Sequence, residues 1–125
     1  MAEGIANKIL PNVLIESAGT EAHGVNPIAI QVMKDISIPI EHHKSKKIDF
    51  DKIKAFDIVI TLCGDAKDKC PVFDIKTQHI HMGVEDPAIF IGNEYETNKK
   101  YAEVRDILYD KIIKFKKQLG DLWNI

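Results

Sequence analysis

Cys63 and Cys70 are the only cysteines in the 125-residue chain, and they bracket the polar run Gly64-Asp65-Ala66-Lys67-Asp68-Lys69. Two thiols are too few for a secreted disulfide framework, and a cytosolic pair of this kind serves catalysis, redox exchange or metal binding when it is not simply buried and inert. A zinc site made from Cys63, Cys70, His79 and His81 would use common ligand types. It is disfavoured because Cys-x6-Cys is wider than the usual ligand pair, and His79 and His81 would share one face of a strand near the surface. Asp86-Pro87 offers a carboxyl that could donate a proton, although Asp-Pro is also a common turn initiator. The basic stretch Lys44 to Lys47 lacks the neighbouring aromatics of a nucleic-acid contact and reads as a solvated loop.

These residues need elements to hold them. Ala2 to Leu10 has helical composition and stops at Pro11, and the apolar run Val13-Leu14-Ile15 predicts a short strand ending at Ser17-Ala18-Gly19. Asn26-Pro27 is a helix start, a capping side chain followed by a proline at the first helical position, and predicts a helix over 27–35. Ile36 to Ile40, interrupted by Pro39, predicts a short edge strand, and Ile48 to Ala55 a short amphipathic helix. Ile58-Val59-Ile60-Thr61-Leu62 is the strongest strand, apolar almost throughout and expected to be buried on both faces. Cys63 ends it. Thr77 to Met82 predicts a weaker strand, and a loop rich in turn residues follows through Gly92. From Thr97 to Leu119 the residues Tyr101, Val104, Leu108, Ile112, Phe115 and Leu119 step by three or four, predicting a long amphipathic helix. Strands separated by helices imply parallel pairing with right-handed crossovers, and in such α/β sheets function gathers at the carboxyl ends of the strands. Cys63 sits at such an end.

Composition bounds the possibilities. A chain of 125 residues, 45% of them hydrophobic, can build one core, so a single domain over residues 1–125 is expected. The formal charge of -2, with acidic and basic residues interspersed, gives no electrostatic footprint for nucleic acid or an anionic membrane. Without a leader pattern or a spanning apolar run, a cytoplasmic location is expected.

Three stretches in order, Ser17 to Pro27 (SAGTEAHGVNP), Val59 to Pro71 (VITLCGDAKDKCP) and Gly83 to Ala88 (GVEDPA), resemble the thioredoxin-coupled arsenate reductases of the low-molecular-weight tyrosine phosphatase superfamily. Met1-Ala2-Glu3-Gly4 and Val104-Arg105-Asp106 extend the likeness over nearly the whole chain. The resemblance implies an α/β fold, a parallel four-stranded sheet flanked by helices, and a reaction that reduces arsenate to arsenite. Family members begin with a strand leading into a phosphate-binding loop of pattern Cys-x5-Arg, and Met-Ala-Glu-Gly follows that loop directly. The sheet is therefore expected to miss its first strand, and the 125 residues to lack the anion cradle. No copy lies elsewhere, because the only arginine is Arg105 and Lys99 stands six positions before it.

The implied mechanism is a thiol relay in which Cys63 matches the second thiol and Cys70 the third, ending in a Cys63–Cys70 disulfide presented to thioredoxin. No cofactor is implied beyond that reductant. Seven helical residues span about 10 Å, beyond the roughly 4.4–6.8 Å between bridged alpha carbons, so a helical segment between these cysteines has to unwind to oxidise. Asp86 matches the proton donor of the family's aspartate loop. Arsenate or phosphate would bind only where the Cys-x5-Arg loop is supplied, since backbone N–H groups and an arginine fork hold such oxyanions. The chain as written is expected to be inactive on arsenate and on aryl phosphates. The competing expectation is a non-enzymatic family remnant serving as a redox or partner-binding module. Ser17 and Glu3 match positions that in some members help bind a structural potassium ion, but Lys46 stands where a carboxylate is common, and its ammonium could replace the cation. His81-Met82-Gly83-Val84-Glu85 departs from the tryptophan and aspartate frequent there.

Overall fold

A computed structural model describes residues 1–19, 24–70 and 76–123. Thr20 to His23 of the first motif and Pro71 of the second lie outside the described residues. In chain order the elements are α1 (Ala2–Ile9), α2 (Pro27–Lys34), α3 (Phe50–Ile53), β1 (Ile58–Thr61), α4 (Gly64–Lys69), β2 (Gln78–His81), a 3-10 turn (Pro87–Ile89) and α5 (Glu94–Trp123). They divide into two compact units. One comprises Met1–Ser17, Val25–Lys44 and Asp86–Ile125; the other comprises Ala18–Gly24 and Ser45–Glu85.

The first unit holds the apolar core. Tyr101, Val104, Leu108, Ile112, Phe115 and Leu119 are all buried, so the predicted stripe of α5 is the observed one, on a helix of 30 residues. Asn93 starts this helix with a reciprocal cap: its Oδ1 accepts from Glu96 N at 2.8 Å, and Glu96 Oε1 accepts from Asn93 N at 3.3 Å. Helices α1 and α2 pack on α5. The Asn26 side chain accepts from Ile28 N at 2.8 Å and Pro27 follows, the start read from the sequence. Arg105 Nη1 donates to the Val32 carbonyl at 2.8 Å, satisfying a backbone acceptor near the end of α2. At Gly4 the backbone approach is close: a Cβ there would lie 2.8 Å from Ile40 Cγ2.

Two expected strands are not strands. Residues 14–18 form no ladder; Leu14 is 77% exposed, and the pairing near them is one parallel bridge, Gly19 to Lys47. Ile36 to Ile40 is a turn followed by an extended segment in which Ile38 and Ile40 are buried while Pro39 is exposed. It has strand-like alternation without a ladder. Pro39 lacks an N–H, and the chain leaves α2 through Ser37 in the left-handed region (φ 62°), with Ser37 N donating to Lys34 O and Ile38 N to Met33 O.

In the second unit β1 and β2 pair in parallel, with Ile58 opposite Gln78 and Thr61 opposite His81. The parallel pairing matches the sequence expectation, but burial on both faces does not. Ile58, Val59 and Ile60 are only half-buried, because β1 has one ladder partner among the described residues. Helix α3 is shorter than expected, a single turn capped by Asp49, whose Oδ1 accepts from Asp51 N and Lys52 N. Buried Thr77 donates to the Phe56 and Lys54 carbonyls, tying the start of β2 to the turn before β1.

Candidate functional site

Cys63 leaves β1 in extended conformation (φ -112°, ψ 160°) and caps the amino end of α4. Its Sγ accepts from Ala66 N at 3.4 Å and its carbonyl from Lys67 N at 3.1 Å. Cys70 closes the other end of the same six-residue helix, its N–H donating to Lys67 O at 3.3 Å. Both thiols are free and half-buried, and burial pushes the Cys70 thiol above the ordinary thiol range. Cysteine read as the flank of a polar run is therefore observed as the two caps of one short helix. No apolar side chain described in α4 is buried.

Asp86 belongs to the other unit. Its Oδ1 accepts from Ala88 N at 2.9 Å, capping the 3-10 turn that Pro87 opens. The residue is exposed, and its carboxylate acts on Tyr101, whose phenol is raised first by burial and second by that charge. The turn packs against α5, and Lys100 Nζ stands 6.0 Å over the Phe90 ring just beyond it. The aspartate turn is thus anchored to the most deeply packed helix of its unit.

The zinc reading is not supported, since no group of three or more potential ligands converges among the described residues. His79 and His81 instead share a partner. Thr61 Oγ1 lies 2.9 Å from His79 Nε2 and 2.8 Å from His81 Nδ1. Sequence reasoning placed the two histidines on one face but missed Thr61, because only the parallel register sets it between them. Glu3 and Ser17 do meet: Ser17 Oγ donates to Glu3 Oε2 at 2.9 Å, and His43 Nδ1 lies 3.3 Å from the same oxygen. Burial lowers the His43 pKa despite the opposing pull of Glu3. The Glu3 carboxylate oxygen is thus shared between Ser17 and His43.

The sequence pattern of the low molecular weight phosphotyrosine protein phosphatase family matches residues 1–122. The chain belongs to this family. Within it, the sequence is 46% identical over 118 residues to the arsenate reductase of Oceanobacillus iheyensis, covering 94% of this chain and 85% of that protein. It is 41% identical over 116 residues to the arsenate reductase of Bacillus subtilis, covering 92% and 84%. This phosphatase-family chain is accordingly an arsenate reductase relative. Among solved structures, a protein tyrosine phosphatase aligns with a TM-score of 0.77 at 18% identity, over 95% of this chain and 85% of that one. An arsenate reductase in its oxidised state aligns with a TM-score of 0.70 at 23% identity, over 89% and 81%. These likenesses establish the phosphatase-like α/β fold. No described helix is long and apolar enough to cross a membrane.

Proposed function

We propose that the protein works in the reduction of arsenate to arsenite, with Cys63 and Cys70 as the last two thiols of the relay and Asp86 as its proton donor. The observation that carries this reading is the placement of the two thiols at opposite caps of one short polar helix, with Cys63 at the carboxyl end of a parallel strand. In the reaction a loop thiolate bonds to arsenic, and Asp86 protonates the departing oxygen. Cys63 thiolate then attacks the loop sulfur; the S–S bond forms, the S–As bond breaks, and arsenic leaves with two electrons as arsenite. Cys70 thiolate attacks Cys63 in turn, freeing the loop thiolate and leaving the Cys63–Cys70 disulfide for a dithiol reductant of the thioredoxin type.

The loop that binds the oxyanion is not among these 125 residues, which contain no Cys-x5-Arg. They supply the relay and the acid, and turnover needs the cradle to be provided in addition. The reductant, the cytoplasmic setting and independence from any metal or organic cofactor belong to the same proposal. The test is to oxidise the 125-residue protein and map its disulfides by mass spectrometry, then to assay it for arsenate reduction with thioredoxin. A Cys63–Cys70 link without turnover is expected. Turnover by the 125 residues alone would overturn the assignment of the cradle, and a failure to form the link would overturn the relay.

A further inference from the structure

Thr61 lies two residues before Cys63 and is one of two buried polar residues among those described. Its hydroxyl stands between two imidazoles of the neighbouring strand, at 2.9 and 2.8 Å. A hydroxyl has one proton to give, and a neutral imidazole nitrogen either donates or accepts. With one proton to give and two lone pairs to accept with, the Thr61 hydroxyl bonds both rings at once, in roles set by their tautomers, and links the three side chains. Two backbone bonds reinforce the same place: Met82 N donates to Thr61 O at 2.8 Å, and Val84 N to Leu62 O at 2.9 Å. Gly83 leaves room for this arrangement, since a Cβ there would come within 3.3 Å of His81 Nε2. The hydrogen bonding thus continues past the end of β2 and stops at the residue before Cys63.

On the other side of Cys63 the contrast is sharp. Closing a disulfide with Cys70 requires the two alpha carbons to come from about 10 Å to roughly 4.4–6.8 Å. One side has to move. Among the described residues, helix α4 is held by local hydrogen bonds at its two caps, whereas the end of β1 is tied by two backbone bonds and a side-chain bridge.

We propose that Thr61, with His79 and His81, is a positioning clamp that keeps Cys63 in place through the thiol–disulfide cycle, so that the Cys70 end of α4 makes the whole displacement. Thr61 touches neither thiol and acts through the strand end. Fixing one reactant raises the effective concentration of the other at it, so losing the clamp slows closure. The inference rests on the relay reading of Cys63 and Cys70.

The test uses oxidised glutathione and the 125-residue protein. Cys63 thiolate attacks glutathione disulfide and releases one glutathione thiolate; Cys70 thiolate then attacks Cys63 Sγ and releases the second, so the pair loses two electrons to the glutathione. Thr61→Val keeps the shape and removes the hydroxyl. Its second step is expected to be about tenfold slower than in the parent protein, with Thr61→Ser restoring the rate. In the parent protein, hydrogen exchange should show the Met82 and Val84 amides equally protected in both redox states while Lys67 and Cys70 lose protection on oxidation. A Thr61→Val rate equal to the parent's, or loss of protection at Met82 and Val84 on oxidation, would sink the clamp while leaving the relay standing. Absence of any Cys63–Cys70 link in the parent protein overturns relay and clamp together.

Discussion

The two units of the molecule are built on opposite terms. Every buried large apolar side chain among the described residues, from Ile5 through Met33 and Ile40 to the stripe of α5, lies in the unit made of Met1–Ser17, Val25–Lys44 and Asp86–Ile125. In the unit that carries the cysteines the buried side chains among the described residues are Thr61 and Thr77, and the strand residues Ile58 to Ile60 are only half-buried. Apolar burial stabilises in proportion to area and has no directional demand, so a segment rich in it resists local opening. A segment held by hydrogen bonds at a few points can release some of them and keep others. The lesson is that Cys63 and Cys70 sit where rearrangement is cheap, and the Asp86 turn is fastened where it is costly.

Breaking the first side of this contrast should give the largest effect. Leu108→Ala removes a side chain that is 3% exposed and should cost about 2–5 kcal/mol in urea unfolding. The same truncation at half-buried Ile60 should cost clearly less. Equal losses at the two positions would erase the distinction between the units. Gly4→Ala comes next: the added methyl would start 2.8 Å from Ile40, and overpacking of this kind costs about 1–3 kcal/mol. A neutral result would mean that Ile40 can withdraw, and that this core is looser than its burial implies.

The pH dependence sharpens the second side. Burial raises the Cys70 thiol above its ordinary value, so between the unfolded and folded pKa values the folded state holds the proton that the unfolded state has lost. The contribution to stability is present below the ordinary thiol pKa and declines as pH rises through the folded one. Urea unfolding of the reduced protein should show this alkaline loss, and Cys70→Ser should flatten it. Iodoacetamide should modify Cys70 with a midpoint displaced to higher pH than that of a free thiol. A midpoint at or below the free-thiol value would contradict the burial.

The smallest expected change is favourable. Ser37 holds φ at 62°, a conformation that costs a residue with a Cβ. Ser37→Gly should raise stability by about 0.5 kcal/mol, measurable as a small upward shift in the urea midpoint. Loss of stability there would show that the serine side chain contributes more than its backbone strain removes.

Much of the fold was legible because the governing patterns are local. The α5 stripe needs only a 3.6-residue period, the α2 start only Asn26-Pro27, and β1 only a run of branched apolar residues. The failures share a cause. Val13 to Ile15 and Ile36 to Ile40 carry strand composition, but a strand exists only when a second segment pairs with it, and pairing is not written in the segment itself. The apolar look of β1 likewise overstated its burial, which depends on how many neighbours a strand acquires.

The candidate site divides in the same way. Residue type alone made the thiols Cys63 and Cys70 suspects, whereas Asp86, in a common turn initiator, stood out only through the family resemblance of its flanks. Sequence alone also showed that these 125 residues carry no Cys-x5-Arg cradle, because the spacing of cysteine and arginine is read directly from residue order. Only the tertiary structure decided that the two cysteines cap one helix, that Asp86 spends an oxygen on its own turn, and that Thr61 stands between His79 and His81. Those facts depend on register and on distances between residues as many as 20 positions apart, which hydrogen-bonded pairing fixes and composition does not.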